Sequence, residues 1–465
     1  MKCRLEWLCL WLIVLLSSCS DSTEPTPPPP PQAPPIVYTD PPAYGTPFGG
    51  VPETKNIVMY EVNLRASSQE GTFAGVTARL DSIKALGVNT IWLMPIYPIG
   101  ILNSVGQMGS PYSVRDYKEV NTEYGTLDHL RNLVEQAHNR GMAVILDWVA
   151  NHTAWDNPWI VNVTWYTRNS SGAIVIPPGT NWNDVADLNF QSAAMRRAMI
   201  NAMKYWILAA NVDGYRCDYA DGVPFDFWKQ SLDTLNAMPG RTLILLAEGA
   251  RPDHFNAGFQ LNYAWDYFGA LNEVFDGNQP ANHLFTANDL ETATIPAGRT
   301  KLRFTANHDE VAWNDTPLGL FGGLDGSLAA FVLAAYMGGV PLIYNGQEVA
   351  CPVKLPFFSR DPIDWDINPD VWVTYKKLIA FRQSSEAVKQ GSLEIFDDTA
   401  VVAFRKSHNT DQVLVIVNTT STTVDYDVPG VLVGTDWDDA IEPGAGFMLG
   451  TTLSLAAYEY RILRQ

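Results

Sequence analysis

The chain has 465 residues, 46% of them hydrophobic, and a formal net charge of −19. That length supports a large core and more than one domain. The acidic balance excludes an electrostatic nucleic-acid binder, and five cysteines are too few for a disulfide-built scaffold.

The N-terminus reads as an export signal spanning residues 1–18, with basic Lys2 and Arg4 followed by an apolar run over 7–16. The run is too short to span a bilayer as a mature helix. The ending Leu16-Ser17-Ser18-Cys19 is similar to a bacterial lipobox, which predicts a lipidated Cys19 and attachment to a membrane. The acidic stretch over 20–24 is similar to surface-export signals of Bacteroidetes lipoproteins. The expected location is therefore the outer membrane or cell surface of a Gram-negative bacterium. Residues 19–50 are dominated by proline and read as an extended tether.

From residue 51 short apolar runs alternate with helical patterns. The runs fall at 57–62, 90–94, 143–149, 212–218, 242–248, 263–268, 302–307 and 340–344, with helices predicted at 73–86, 127–140, 193–210 and 328–337. Eight such units predict a (β/α)8 barrel over 51–385. A polar excursion at about 152–190 is too long for an ordinary loop and should wall the site as a short inserted domain. Strand-like runs at 400–405, 413–418, 423–428 and 453–462 predict a C-terminal β-sandwich over 386–465. Cys217 and Cys351 are expected as buried thiols rather than a disulfide.

Three stretches end an apolar run in an acid: Gly214-Tyr215-Arg216-Cys217-Asp218, Leu245-Leu246-Ala247-Glu248 and Asn307-His308-Asp309. Buried parallel strands deliver chemistry at their carboxyl ends, so three acids placed this way predict a carboxylate active site. Residues two apart on a strand share a face, so Arg216 lies beside Asp218 and favours its ionised form. Glu248 has no evident cation nearby, which suits a proton donor. One ionised and one protonatable carboxyl is what glycoside cleavage with retention requires.

These segments, with Asp147-Trp148-Val149-Ala150-Asn151-His152, Val185-Ala186-Asp187-Leu188-Asn189 and Gly339-Val340-Pro341-Leu342-Ile343-Tyr344-Asn345-Gly346-Gln347-Glu348, resemble the signature segments of glycoside hydrolase family 13, the α-amylase family, in the same order. The resemblance implies Asp218 as nucleophile, Glu248 as general acid/base and Asp309 as transition-state stabiliser. It implies sugar contacts from Tyr112, His152, Arg216 and His308, and a structural calcium on Asn151 and Asp187, with no organic cofactor. Gly222 and Asp221 stand where many members carry a calcium-ligating His and a substrate-contacting Lys. The expected substrate is an α-glucan or maltooligosaccharide cleaved internally at α-1,4 bonds, by a monomer. A cyclomaltodextrinase, a neopullulanase or a transglycosylase is the alternative within the class. A surface glycan-binding lipoprotein without catalysis is the alternative outside it, opposed by the three intact acids. Trp155, Trp159, Trp165 and Trp182 are candidates for flanking subsites.

Overall fold

The computed structural model describes residues 38–465 except 443 and 445. The signal, Cys19 and most of the tether lie outside the described residues. A compact unit begins at Asp40, so the stretch 40–50 is not tether. Lys204 pairs with Asp40 at 2.6 Å, the Tyr44 amide donates to Leu208 O at 2.8 Å, and Phe48 stacks on His138 at 4.4 Å. Proline removes backbone donors but does not prevent packing through side chains and the remaining amides.

Eight parallel strands close into a barrel: β1 (Met59–Val62), β2 (Thr90–Leu93), β3 (Ala143–Val149), β6 (Gly214–Asp218), β7 (Ile244–Ala247), β8 (Leu261–Tyr263), β9 (Thr300–Arg303) and β10 (Val340–Tyr344), with β10 returning to β1. They are buried on nearly every residue, which is why they read as continuous apolar runs rather than as alternations. Helices cover the outside. Thr72 caps Phe73–Ala85, and Thr126 with His129 forms a capping box on Leu127–Asn139. The excursion contributes β4 (His152–Ala154) and β5 (Val185–Asp187), an antiparallel pair that places His152 opposite Asp187.

Two strands differ from expectation. The sixth ends at Tyr263, and the apolar residues expected to continue it open the helix Trp265–Phe275. The seventh ends at Arg303, so Asn307, His308 and Asp309 ride on the chain beyond it. A short apolar run does not distinguish a buried strand from the first turn of a buried helix.

The C-terminal part holds β11 (Ser392–Phe396), β12 (Val401–His408), β13 (Asp411–Asn418), β14 (Val424–Asp427), β15 (Asp436–Asp439), β16 (Gly446–Met448), β17 (Thr452–Leu455) and β18 (Tyr460–Arg464). A six-stranded antiparallel sheet is faced by the β14–β17 pair. Tyr426 and Leu455 from the pair pack with Leu414, Ile416, Trp437 and Leu463 from the sheet. The run expected at 453–462 is two strands, because Tyr458 turns the chain with a left-handed φ of 56°.

Candidate active site

The carboxyl ends of the barrel strands surround a cleft of ≈ 760 Å³. Asp218 is the last residue of β6, Glu248 follows β7 directly, and Asp309 arrives on the chain after β9. All three line the cleft, with Tyr112, His152 and His308. The turn after Asp218 is tight: Tyr219 adopts a left-handed φ of 41°, uncommon for a bulky side chain and frequent at functional sites. In that turn the Tyr219 amide donates to Glu248 Oε2 at 2.6 Å, tying the ends of β6 and β7 together.

Arg216 is the hub. It is fully buried, its Nη1 donates to Asp147 Oδ1 at 2.8 Å and Asp218 Oδ1 at 2.9 Å, and its Nε donates to Tyr263 Oη at 3.3 Å. Its Nη2 also lies 2.7 Å from Glu248 Oε1, although no hydrogen points at that oxygen. This corrects the sequence reading in which Glu248 lacked a cation: the same guanidinium faces both acids. Burial pushes the Asp218 and Glu248 carboxyls upward and Arg216 pulls both back; Asp147 and Asp309 raise Asp218 further, and Asp218 and Asp309 raise Glu248. They titrate as a pair that holds one proton more readily than two separate acids would. Asp147, which the sequence reading left without a role, sits behind Arg216 and accepts from Trp92 Nε1 at 3.1 Å and Tyr112 Oη at 3.2 Å. Burial raises its carboxyl to about 6.

The far side is organised by His308. Its ring stacks on Tyr112 at 5.3 Å, and Nε2 lies 2.7 Å from Tyr112 Oη and 3.3 Å from Asp309 Oδ2. Nδ1 lies 2.5 Å from Oε1 of Glu61, a buried β1 acid that the sequence reading missed. Its only sequence signal is an acid inside an apolar strand. His152 sits against Trp182 at 5.5 Å, and burial lowers its imidazole to about 4, so it is neutral.

Of the four tryptophans of the excursion, Trp182 reaches the cleft, while Trp165 is buried and packs with Trp159. Trp265, Trp313, Phe357 and Phe358 add further aromatic lining. Asp221 also faces the cleft, yet its oxygens accept from the Ala250 and Arg251 amides at 3.1 and 3.3 Å. It braces the loop after β7, and Gly249 is required there because a Cβ would meet the Asp221 carboxylate at 2.4 Å.

The two side chains expected to bind calcium, Asn151 and Asp187, lie at the start and end of the excursion's strand pair. Asn151 Nδ2 is 3.3 Å from His152 Nδ1, and burial raises the Asp187 carboxyl to about 6. Among the described residues no group of three or more His, Cys, Asp and Glu gathers as for a metal. Asn151 and Asp187 supply one amide and one carboxyl, so the six to eight oxygens calcium takes would have to be completed by backbone carbonyls and water.

Residues 50–173 match the family model described as the α-amylase catalytic domain. Alpha-amylase 2 of Dictyoglomus thermophilum is 28% identical over 78% of this chain, and a cyclomaltodextrinase of a Bacillus species is 24% identical over 75%. The chain covers 66% and 65% of those two proteins, just under two thirds of each. The crystal structure of an α-amylase from Lactobacillus plantarum superposes with a TM-score of 0.78 at 28% identity, covering 88% of this chain and 99% of that one. The chain is similar to the α-amylase family of glycoside hydrolases. Its site differs from expectation in two ways. A single arginine faces both candidate reacting acids, and Asp221, standing where many members carry a substrate-contacting Lys, serves a loop instead.

Proposed function

We propose that this protein is a retaining α-glucan hydrolase that cleaves internal α-1,4 bonds of starch and maltooligosaccharides. Asp218 attacks the anomeric carbon, while Glu248 donates a proton to the leaving oxygen and later takes one from water. Asp309 and His308 hold hydroxyls of the sugar being cleaved, with Tyr112 beneath it and His152 at its edge. Arg216 keeps Asp218 anionic as the bond breaks. The observation that carries this reading is the convergence of Asp218, Glu248 and Asp309 on one cleft with Arg216 between the first two. Either acid can hold the shared proton at rest, and substrate binding near Glu248 would draw it there.

The aromatic lining supports a polymeric substrate, because sugar rings present apolar faces to such surfaces. A cyclomaltodextrinase is the second reading, supported by the Bacillus relative. Incubating the wild type and Asp218→Asn with starch, pullulan and cyclodextrins separates them. Faster cleavage of cyclodextrin than of starch favours the second reading. No hydrolysis of any of the three removes both, and full activity in Asp218→Asn removes the nucleophile assignment. We also propose export as a monomeric lipoprotein anchored through Cys19. Labelling with radioactive palmitate should mark the wild type and leave Cys19→Ala unlabelled.

A further inference from the structure

We infer that Glu61 is a positioning residue for the proposed reaction, holding His308 as an imidazolium whose Nε2 hydrogen is aimed at the floor of the cleft. The inference rests on the reading that a sugar sits against Asp309 and Tyr112.

Geometry supplies the first argument. The His308 ring is clamped on three sides: Tyr112 stacks at 5.3 Å, and Trp92 and Phe357 meet it edge-on, each at 5.8 Å. A ring so enclosed keeps one orientation. Nδ1 then faces Glu61 Oε1 at 2.5 Å, and Nε2 faces Tyr112 Oη at 2.7 Å.

The matching of donors and acceptors supplies the second. Tyr112 Oη also lies 3.2 Å from Asp147 Oδ2, an acceptor when ionised. If His308 were neutral with its hydrogen on Nδ1, Nε2 would compete with Asp147 for the single tyrosine hydrogen. With hydrogens on both nitrogens, Nδ1 donates to Glu61, Nε2 donates to Tyr112 Oη, and the tyrosine donates to Asp147. Every donor then has an acceptor, as it also would with the Nδ1 proton moved onto Glu61. The matching therefore fixes the hydrogen on Nε2, and the acids around the ring keep the second one on the imidazole. The Oε2 atom of Glu61 is buried and unpartnered, a cost that packing alone does not explain.

The charges around the ring agree. Burial and Arg216 on β6 disfavour a cation, whereas Asp309 beyond β9 and Glu61 on β1 favour one, and the balance raises His308 to about 9. Asp147 on β3 and Glu310, next after Asp309, also face it and add negative charge. Tyr112, from the loop after β2, stays neutral because burial raises its hydroxyl well above 10. His308 is therefore charged across the neutral range and loses its proton only as pH rises through about 9. A fixed cation there offsets the Asp309 carboxylate and holds Tyr112 in place at the floor of the cleft.

The test uses full-length protein labelled with 15N-histidine, with His308→Gln to assign the signal. Long-range 1H–15N spectra at pH 7.5 should show His308 with two protonated nitrogens in the wild type and as a neutral ring in Glu61→Gln. In the same variant kcat on starch should fall by up to about 10²-fold with KM little changed, and the alkaline limb of kcat/KM should move to lower pH. A neutral His308 in the wild type overturns the inference, whether or not Glu61→Gln folds. So does a His308 that stays doubly protonated in Glu61→Gln with an unaltered pH profile. Absence of starch hydrolysis in the wild type would defeat the functional reading while leaving the spectra to judge Glu61.

Discussion

Buried cations occupy both ends of the barrel, and the two sets have different partners. At the cleft Arg216 faces Asp147, Asp218 and Glu248. At the other end, Arg382 donates to Ala335 O at 3.1 Å and Gly339 O at 2.7 Å, and Lys406 donates to Met337 O at 3.2 Å. Those carbonyls lie where the helix Leu324–Tyr336 gives way to β10, so Arg382 and Lys406 finish a helix C-terminus and join the barrel to the C-terminal sheet. Burial lowers Lys406 to about 8, with Arg382 and Arg303 adding to the effect, and no acid restores it. A buried cation among acids that open on a cleft prepares chemistry. A buried cation among carbonyls in a closed joint is architecture.

The largest effect that separates the two ends is expected from Arg216→Met. It should cut kcat on starch by about 10²–10³-fold and, by leaving buried acids unpaired, destabilise the fold by about 3–5 kcal/mol in urea titrations. Arg382→Met should cost about 1–3 kcal/mol of stability because it orphans buried carbonyls, with kcat unchanged. A fall in kcat matching that of Arg216→Met would erase the distinction drawn here.

Trp313 sharpens the cleft side of the comparison. It is 63% exposed at the rim and meets the edges of Phe357 and Phe358 at 5.8 and 5.6 Å. Trp313→Ala should raise KM on long maltooligosaccharides by about three- to tenfold and leave kcat and stability intact. Equal effects on short and long substrates would show that the ring holds no distal sugar.

The smallest expected effect concerns Lys406. Its folded pKa of about 8 lies below the ordinary lysine value, so the unfolded chain binds more protons between about 8 and 10.5. Stability should therefore rise with pH across that window relative to Lys406→Met, and the two should run parallel below it. The measurement is urea unfolding of both proteins at a series of pH values.

How much of this was legible depended on how local the cause was. Arg216 and Asp218 share a strand, so alternation alone places them together. The Arg216–Glu248 contact crosses from β6 to β7, and the motif around Glu248 holds no trace of it. Glu61 was hidden for the same reason, since its partner lies 247 residues away. The barrel was readable as eight apolar runs, but β8 and β9 are shorter than their runs because the neighbouring helix and loop are equally apolar. The bracing role of Asp221 was not readable because a carboxylate that accepts backbone amides looks, in sequence, like any loop acid.

The most direct test of the central claim is to trap the covalent intermediate. Reaction with 5-fluoro-α-glucosyl fluoride, followed by proteolysis and mass spectrometry, should place one glycosyl adduct on the peptide bearing Asp218, with none in Asp218→Asn. Proton NMR of early starch products should show the α-anomer. An adduct on Glu248 or Asp309, or first-formed β-products, would contradict the account.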